Sequence, residues 1–107
     1  MSVSIFRMNK ADDLFESGFE IPVAREEFFI EFWQTAIEEL KIKRLRNGIE
    51  LKKEDLQSIL DELEQLRHWA KLHLQHNDLD YMFSRIDLLI KELPSAFKTE
   101  DTILWMG

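Results

Sequence analysis

The sequence predicts a mainly α protein: a three-helix bundle, or four-helix if a further segment joins it. There is room beside the helices for a small β-sheet, and a purely helical bundle is the alternative. Three observations lead there. Apolar residues recur at helical spacing in three long segments, the chain holds only three Gly and two Pro, and 45% of it is apolar. With 107 residues, one domain spanning 1–107 is expected, because a chain of this size can build one core.

The first segment contains EEFFIEFW, Glu26 to Trp33. At 100° per residue, Phe28, Phe29, Ile30, Phe32, Trp33, Ala36, Ile37 and Leu40 fill an arc of about 200°. Pro22 followed by VAREEF, with Glu26 and Glu27 early, reads as a helix start that the dipole favours, so a helix is predicted from about Ala24 to Leu40. The arc is wide enough to meet two neighbouring elements. Its phenylalanines are therefore assigned to the core, and Glu31 and Glu38 to the polar side.

The second segment places Leu56, Ile59, Leu60, Leu63, Leu66, Ala70 and Leu74 within about 120° of arc, which predicts a one-sided helix from about Lys53 to His76. Trp69 and Leu72 lie off its main stripe. In the third, Asn77 or Asp78 can cap a helix whose Leu79, Met82, Phe83, Ile86, Leu89, Ile90 and Leu93 form one stripe, and Pro94 is read as its end. Between the first two helices, Asn47–Gly48 marks a tight turn and Ile49 alternates with Leu51. The terminal pieces VSIFRM and TILWM are β-capable, and these three pieces could build the small sheet.

The net charge of −7 is unevenly spread. From Ala11 to Leu40, nine acids (Asp12, Asp13, Glu16, Glu20, Glu26, Glu27, Glu31, Glu38, Glu39) oppose Arg25 alone, a local charge of −8. From Lys41 to Lys53, six cations face only Glu50. An acidic lobe repels phosphate, so direct nucleic-acid and membrane partners are disfavoured and a basic protein surface is the natural complement. The basic run KIKRLR lacks interleaved aromatics and reads as a solvated turn able to pair with the acidic lobe within the molecule.

No catalytic motif is present. There is no GxSxG, Walker loop or GxGxxG, and adjacent helical acids point about 100° apart rather than into one cleft. The absence of cysteine excludes disulfides, thiolate nucleophiles and Cys-ligated zinc. His73 and His76 can share a helix face near Asp78 and Asp80, but His68 points away and no HExxH occurs, so surface histidines are the simpler reading. No enzyme, cofactor or metal is expected. Without a signal peptide or a long apolar run, the chain reads as soluble and cytoplasmic.

The stretch ELKIKRLRNGIELKKEDLQSILDELEQLRHW, the DLDYMFSRIDLLIKEL helix and the closing TILWMG resemble small acidic immunity proteins of bacterial polymorphic-toxin and contact-dependent inhibition systems. The likeness covers about two-thirds of the chain. It lies in short length, acidity, an NG turn before a Leu-rich helix and a strand-like end. It implies a protein that binds and neutralises one cognate toxin, commonly a basic nuclease. Such an inhibitor profits from carboxylates that stand in for phosphate, and the acidic region nominates Asp12, Asp13, Glu16, Glu20, Glu27, Glu31 and Glu38 as partner-binding residues. The competing expectation is a homodimeric interaction module without inhibitory role, joined through the wide apolar arc of the first helix.

Overall fold

The computed structural model describes residues 2–9 and 14–107. It corrects the expected mainly α class. The fold is α+β: three helices cover one face of a five-stranded antiparallel sheet, with 56% of the described residues helical and 23% in strands. Strand β1 (Ser2–Asn9) is central. It pairs with β5 (Ile103–Met106) on one side, and on the other with β2 (Leu14–Phe15) at one end and β3 (Ile21–Arg25) at the other. Beyond β5 lies β4 (Ile49–Lys52), an edge strand. The two ends of the chain are thus neighbours in the sheet, and Ser4 and Gly107 exchange backbone hydrogen bonds of 3.2 and 3.0 Å.

The sheet exceeds the expectation chiefly through β3. Pro22 sits inside it rather than opening a helix, and that is tolerated because β3 pairs on one side only, with β1. Ile21, Val23 and Ala24 are all buried, so this apolar run is worth more to the core as a strand than as a helical lead-in. The helix starts at Glu26 instead, after the extended Arg25. It runs as α1 (Glu26–Phe28), a π-helical turn (Phe29–Trp33) and α2 (Gln34–Leu40). The rings of Phe29 and Trp33, at the two ends of the π turn, stack with centroids 6.0 Å apart, and both are buried. Lys41 closes the helix in the left-handed conformation at φ 57°, with Lys41 N–H on the Glu38 carbonyl and Ile42 N–H on that of Ile37, the paired bonds of a Schellman cap. The Asn47–Gly48 turn then leads into β4, with Gly48 at φ 85°.

A 3₁₀ turn (Lys53–Asp55) introduces α3 (Leu56–His73), and α4 follows from His76 to Ala96. Two boundaries differ from expectation. The chain leaves α3 at His73 and turns through Gln75 and a left-handed His76, so Asn77 and Asp78 lie inside the first turn of α4 rather than capping it. Pro94 lies inside α4, whose last turn continues past it to Ala96. There Arg7 Nε donates to the Ala96 carbonyl at 3.0 Å, beside the Lys98 backbone N–H at 3.1 Å, so this C-terminal carbonyl is satisfied from outside the helix. The core stripes of α3 and α4 are those of the sequence, with Ile59, Leu63, Leu66, Ala70, Met82, Ile86, Leu89 and Leu93 buried. Trp69, off the α3 stripe, is buried as well. No helix of the described residues is long and apolar enough to cross a membrane.

Candidate partner-binding surface

The first helix is anchored at both ends. At its start, Tyr81 of α4 accepts the Arg25 backbone N–H at 3.0 Å, and Phe28 meets the Tyr81 ring edge-on at 4.7 Å and the Phe32 ring at 4.8 Å. Near its end, Trp69 Nε1 of α3 donates to the Glu39 carboxylate at 2.9 Å. The segment after it is held by Glu62, a buried acid of α3. Its two carboxylate oxygens accept the consecutive backbone N–H groups of Lys43, Arg44 and Leu45 at 3.0–3.3 Å. Three amides converging on one carboxylate form an anion nest whose anion the protein itself supplies.

On this rigid support Glu26, Glu27, Glu31 and Glu38 are exposed. Glu26, Glu27, Ile30 and Glu31 are all exposed in the first two turns of this helix, and Glu26 and Ile30 line one surface pocket with Ser2 and Asn47. Ile30, at the edge of the apolar arc, is 63% exposed. Phe28, Phe29, Trp33, Ala36 and Ile37 of the same arc are buried, and Phe32 and Leu40 half-buried. The π turn lies across this stretch, where a 3.6-residue wheel no longer tracks the faces. None of Glu26, Glu27 and Glu31 makes an ion pair with a described residue.

The other nominated acids are occupied or separated from this patch. Glu16 is committed internally: its carboxylate takes Arg7 Nη1 at 2.9 Å and Lys98 Nζ at 3.2 Å. The Lys98 hydrogen bond leads in holding its pKa below the ordinary carboxylate value; partial desolvation works against it, and Arg7 assists it. Arg7 is itself nearly buried, with its guanidinium 3.8 Å from the Phe19 ring centre. Glu20 accepts the Ser4 hydroxyl at 2.6 Å. Glu38 accepts Gln34 Nε2 at 3.3 Å and shares a surface groove with Lys41, Lys43 and Arg46, so the acidic face ends there. Asp12 and Asp13 lie outside the described residues. The structure therefore gathers Glu27 and Glu31, adds Glu26 and Ile30, and leaves the rest dispersed.

Two cations of the Lys41–Lys53 segment find partners outside the acidic lobe, Arg44 with Asp55 at 3.3 Å and Lys53 with Glu100 at 3.1 Å. His73 stacks on Trp69 at 4.5 Å with Nδ1 2.9 Å from the Trp69 carbonyl oxygen. Among the described residues no group of three or more His, Asp or Glu side chains is arranged to hold a metal ion. The sheet face away from the helices carries Phe6 stacked on Phe15 at 5.1 Å, with Trp105 directly opposite Phe6. The strand periodicity of VSIFRM and TILWM could have signalled that second face.

Set beside protein-family models, curated proteins and solved structures, the chain matches none.

Proposed function

We propose that the protein is an immunity-type inhibitor that binds a basic toxin domain, a nuclease being the class most suited to it, through the first helix. The observation that carries this reading is the exposed Ile30 beside carboxylates of Glu26, Glu27 and Glu31 that no described cation neutralises. An apolar anchor rimmed by uncompensated charge is the pattern of a protein interface, in which the anchor slows dissociation and the charges steer association. A nuclease offers the complementary Lys and Arg because it must grip phosphate. Inhibition of this kind requires no catalytic group, cofactor or metal from the inhibitor.

The test is whether a gene flanking this one encodes a secreted protein with a C-terminal toxin domain and whether the protein binds that domain, followed by kinetics on surface variants. Glu27→Gln/Glu31→Gln should slow association about tenfold at low salt and flatten its salt dependence. Ile30→Ala should raise the dissociation rate instead. Tight binding with both rates unchanged in the two variants would remove the first helix from the interface, and the absence of such a domain, or of binding to it, would sink the inhibitor reading itself.

A further inference from the structure

We propose that the protein pairs with a second copy of itself through the edge strand β4, joining the two sheets into one. β4 is hydrogen-bonded to β5 alone, and no other described strand lies beside it. Its sequence, Ile49-Glu50-Leu51-Lys52, puts Leu51 into the core and leaves Glu50 and Lys52 exposed on the opposite face. Neither of those two side chains makes an ion pair with a described residue.

Consider a twofold axis perpendicular to the sheet, which continues it in antiparallel fashion and keeps both helical layers on one side. Opposed residues must then share a face, so β4 can meet its copy centred on Ile49, Glu50, Leu51 or Lys52, and the first of these sets the strand against the Asn47–Gly48 turn, pairing only Ile49 within β4. Centred on Glu50, the strand sets acid against acid; centred on Lys52, it sets lysine against lysine. The register centred on Leu51 sets Glu50 of each copy against Lys52 of the other, twice. Directly opposed unlike charges stabilise an antiparallel pair, while like charges destabilise it.

An exposed edge strand is commonly protected from such pairing by shortness and by charge, and charge of one sign at every outward position would repel a copy. β4 alternates sign instead, so its charges discourage the registers centred on Glu50 and on Lys52 and favour the one centred on Leu51. The cross-strand neighbours of the two charges support the joint, because Trp105 stands opposite Glu50 and Ile103 opposite Lys52 on the same half-open face. In the joined sheet the apolar rows of both copies flank the four charges, where each ion pair is less exposed to screening than on an isolated edge. This pairing does not rest on the inhibitor reading.

Sedimentation equilibrium over a wide concentration range tests it on the full chain, with circular dichroism as the check on folding. The wild-type chain, 12.8 kDa as a monomer, should reach twice that mass reversibly. Glu50→Lys sets lysine against Lys52 at both positions and should raise the dissociation constant about tenfold or more. The swap Glu50→Lys/Lys52→Glu restores both unlike pairs and should restore the dimer. If Glu50→Lys does not fold, Lys52→Glu sets acid against acid and carries the same expectation. A wild-type chain that stays monomeric at every concentration overturns the proposal, and so does a dimer that the single charge reversal leaves unweakened or the swap fails to rescue.

Discussion

Glu62 and Glu31 are both helical glutamates, yet the molecule uses them in opposite ways. Glu62 on α3 is buried under the segment that follows the first helix and gathers three backbone N–H groups. Glu31 on the π turn stands in solvent, with no side-chain hydrogen bond or ion pair to a described residue. An acid that satisfies buried donors belongs to the fold, because without it those donors lose the water they gave up and gain nothing in return. An acid without such duties contributes little to stability and is open to a partner. The contrast separates structural from functional charge better than the net charge does.

Truncating the buried acid should have the largest effect. Glu62→Ala leaves three amides without their acceptor and should destabilise the fold by about 3 kcal/mol, measured by urea denaturation; Glu62→Gln, which keeps one carbonyl oxygen, should cost about half of that. A loss below 0.5 kcal/mol for the alanine variant, within the range of ordinary surface changes, would break the comparison. Next is the anchor between α3 and the first helix, where Trp69→Phe removes the donor to Glu39 and should cost about 1.5 kcal/mol.

A gain of about 0.5–1 kcal/mol is expected for Lys41→Gly, because the left-handed cap at φ 57° suits glycine, and a higher melting temperature would report it. Glu16 gives a pH signature. Its folded pKa lies below the ordinary value of 4.5, so its stabilisation is fully present above that pH and disappears as the pH falls through the lower folded value. Wild type should exceed Glu16→Gln in stability at pH 7, and the two should converge in strong acid. The smallest effect belongs to the open acids: Glu27→Gln and Glu31→Gln should each stay within about 0.5 kcal/mol of wild type. A large loss at Glu31 would mean that it, too, belongs to the fold.

How much of this could be read beforehand differs by element. The stripes of α3 and α4 were legible because their apolar residues repeat along a single helix, and Leu63, Leu66, Ile86 and Leu89 are buried accordingly. β3 was not, since IPVAR runs straight into helical sequence and only its pairing with β1 makes it a strand. The exposure of Ile30 was not legible either, because the first helix passes through a π turn that no periodicity announces. In the candidate surface, Glu27 and Glu31 could be picked out as members of the acidic stretch from Ala11 to Leu40. The internal duty of Glu16 could not, because its partners Arg7 and Lys98 stand at opposite ends of the chain.

By itself the sequence determined three helical segments, the Asn47–Gly48 turn, the acidic first third and the strand character of both termini. These follow from side-chain period, backbone preference and charge, all of which act between near neighbours in the chain. Only the tertiary structure decided that the sheet is a full layer, that Glu62 and Glu16 serve the fold, and that Ile30 faces solvent. Those outcomes depend on partners far apart in sequence: Arg7 and Ala96 are 89 residues apart, Glu62 and Leu45 are 17 apart, and the two terminal strands meet only when the chain closes on itself. The choice of a carboxylate's partner is settled by that closure, which no local pattern records.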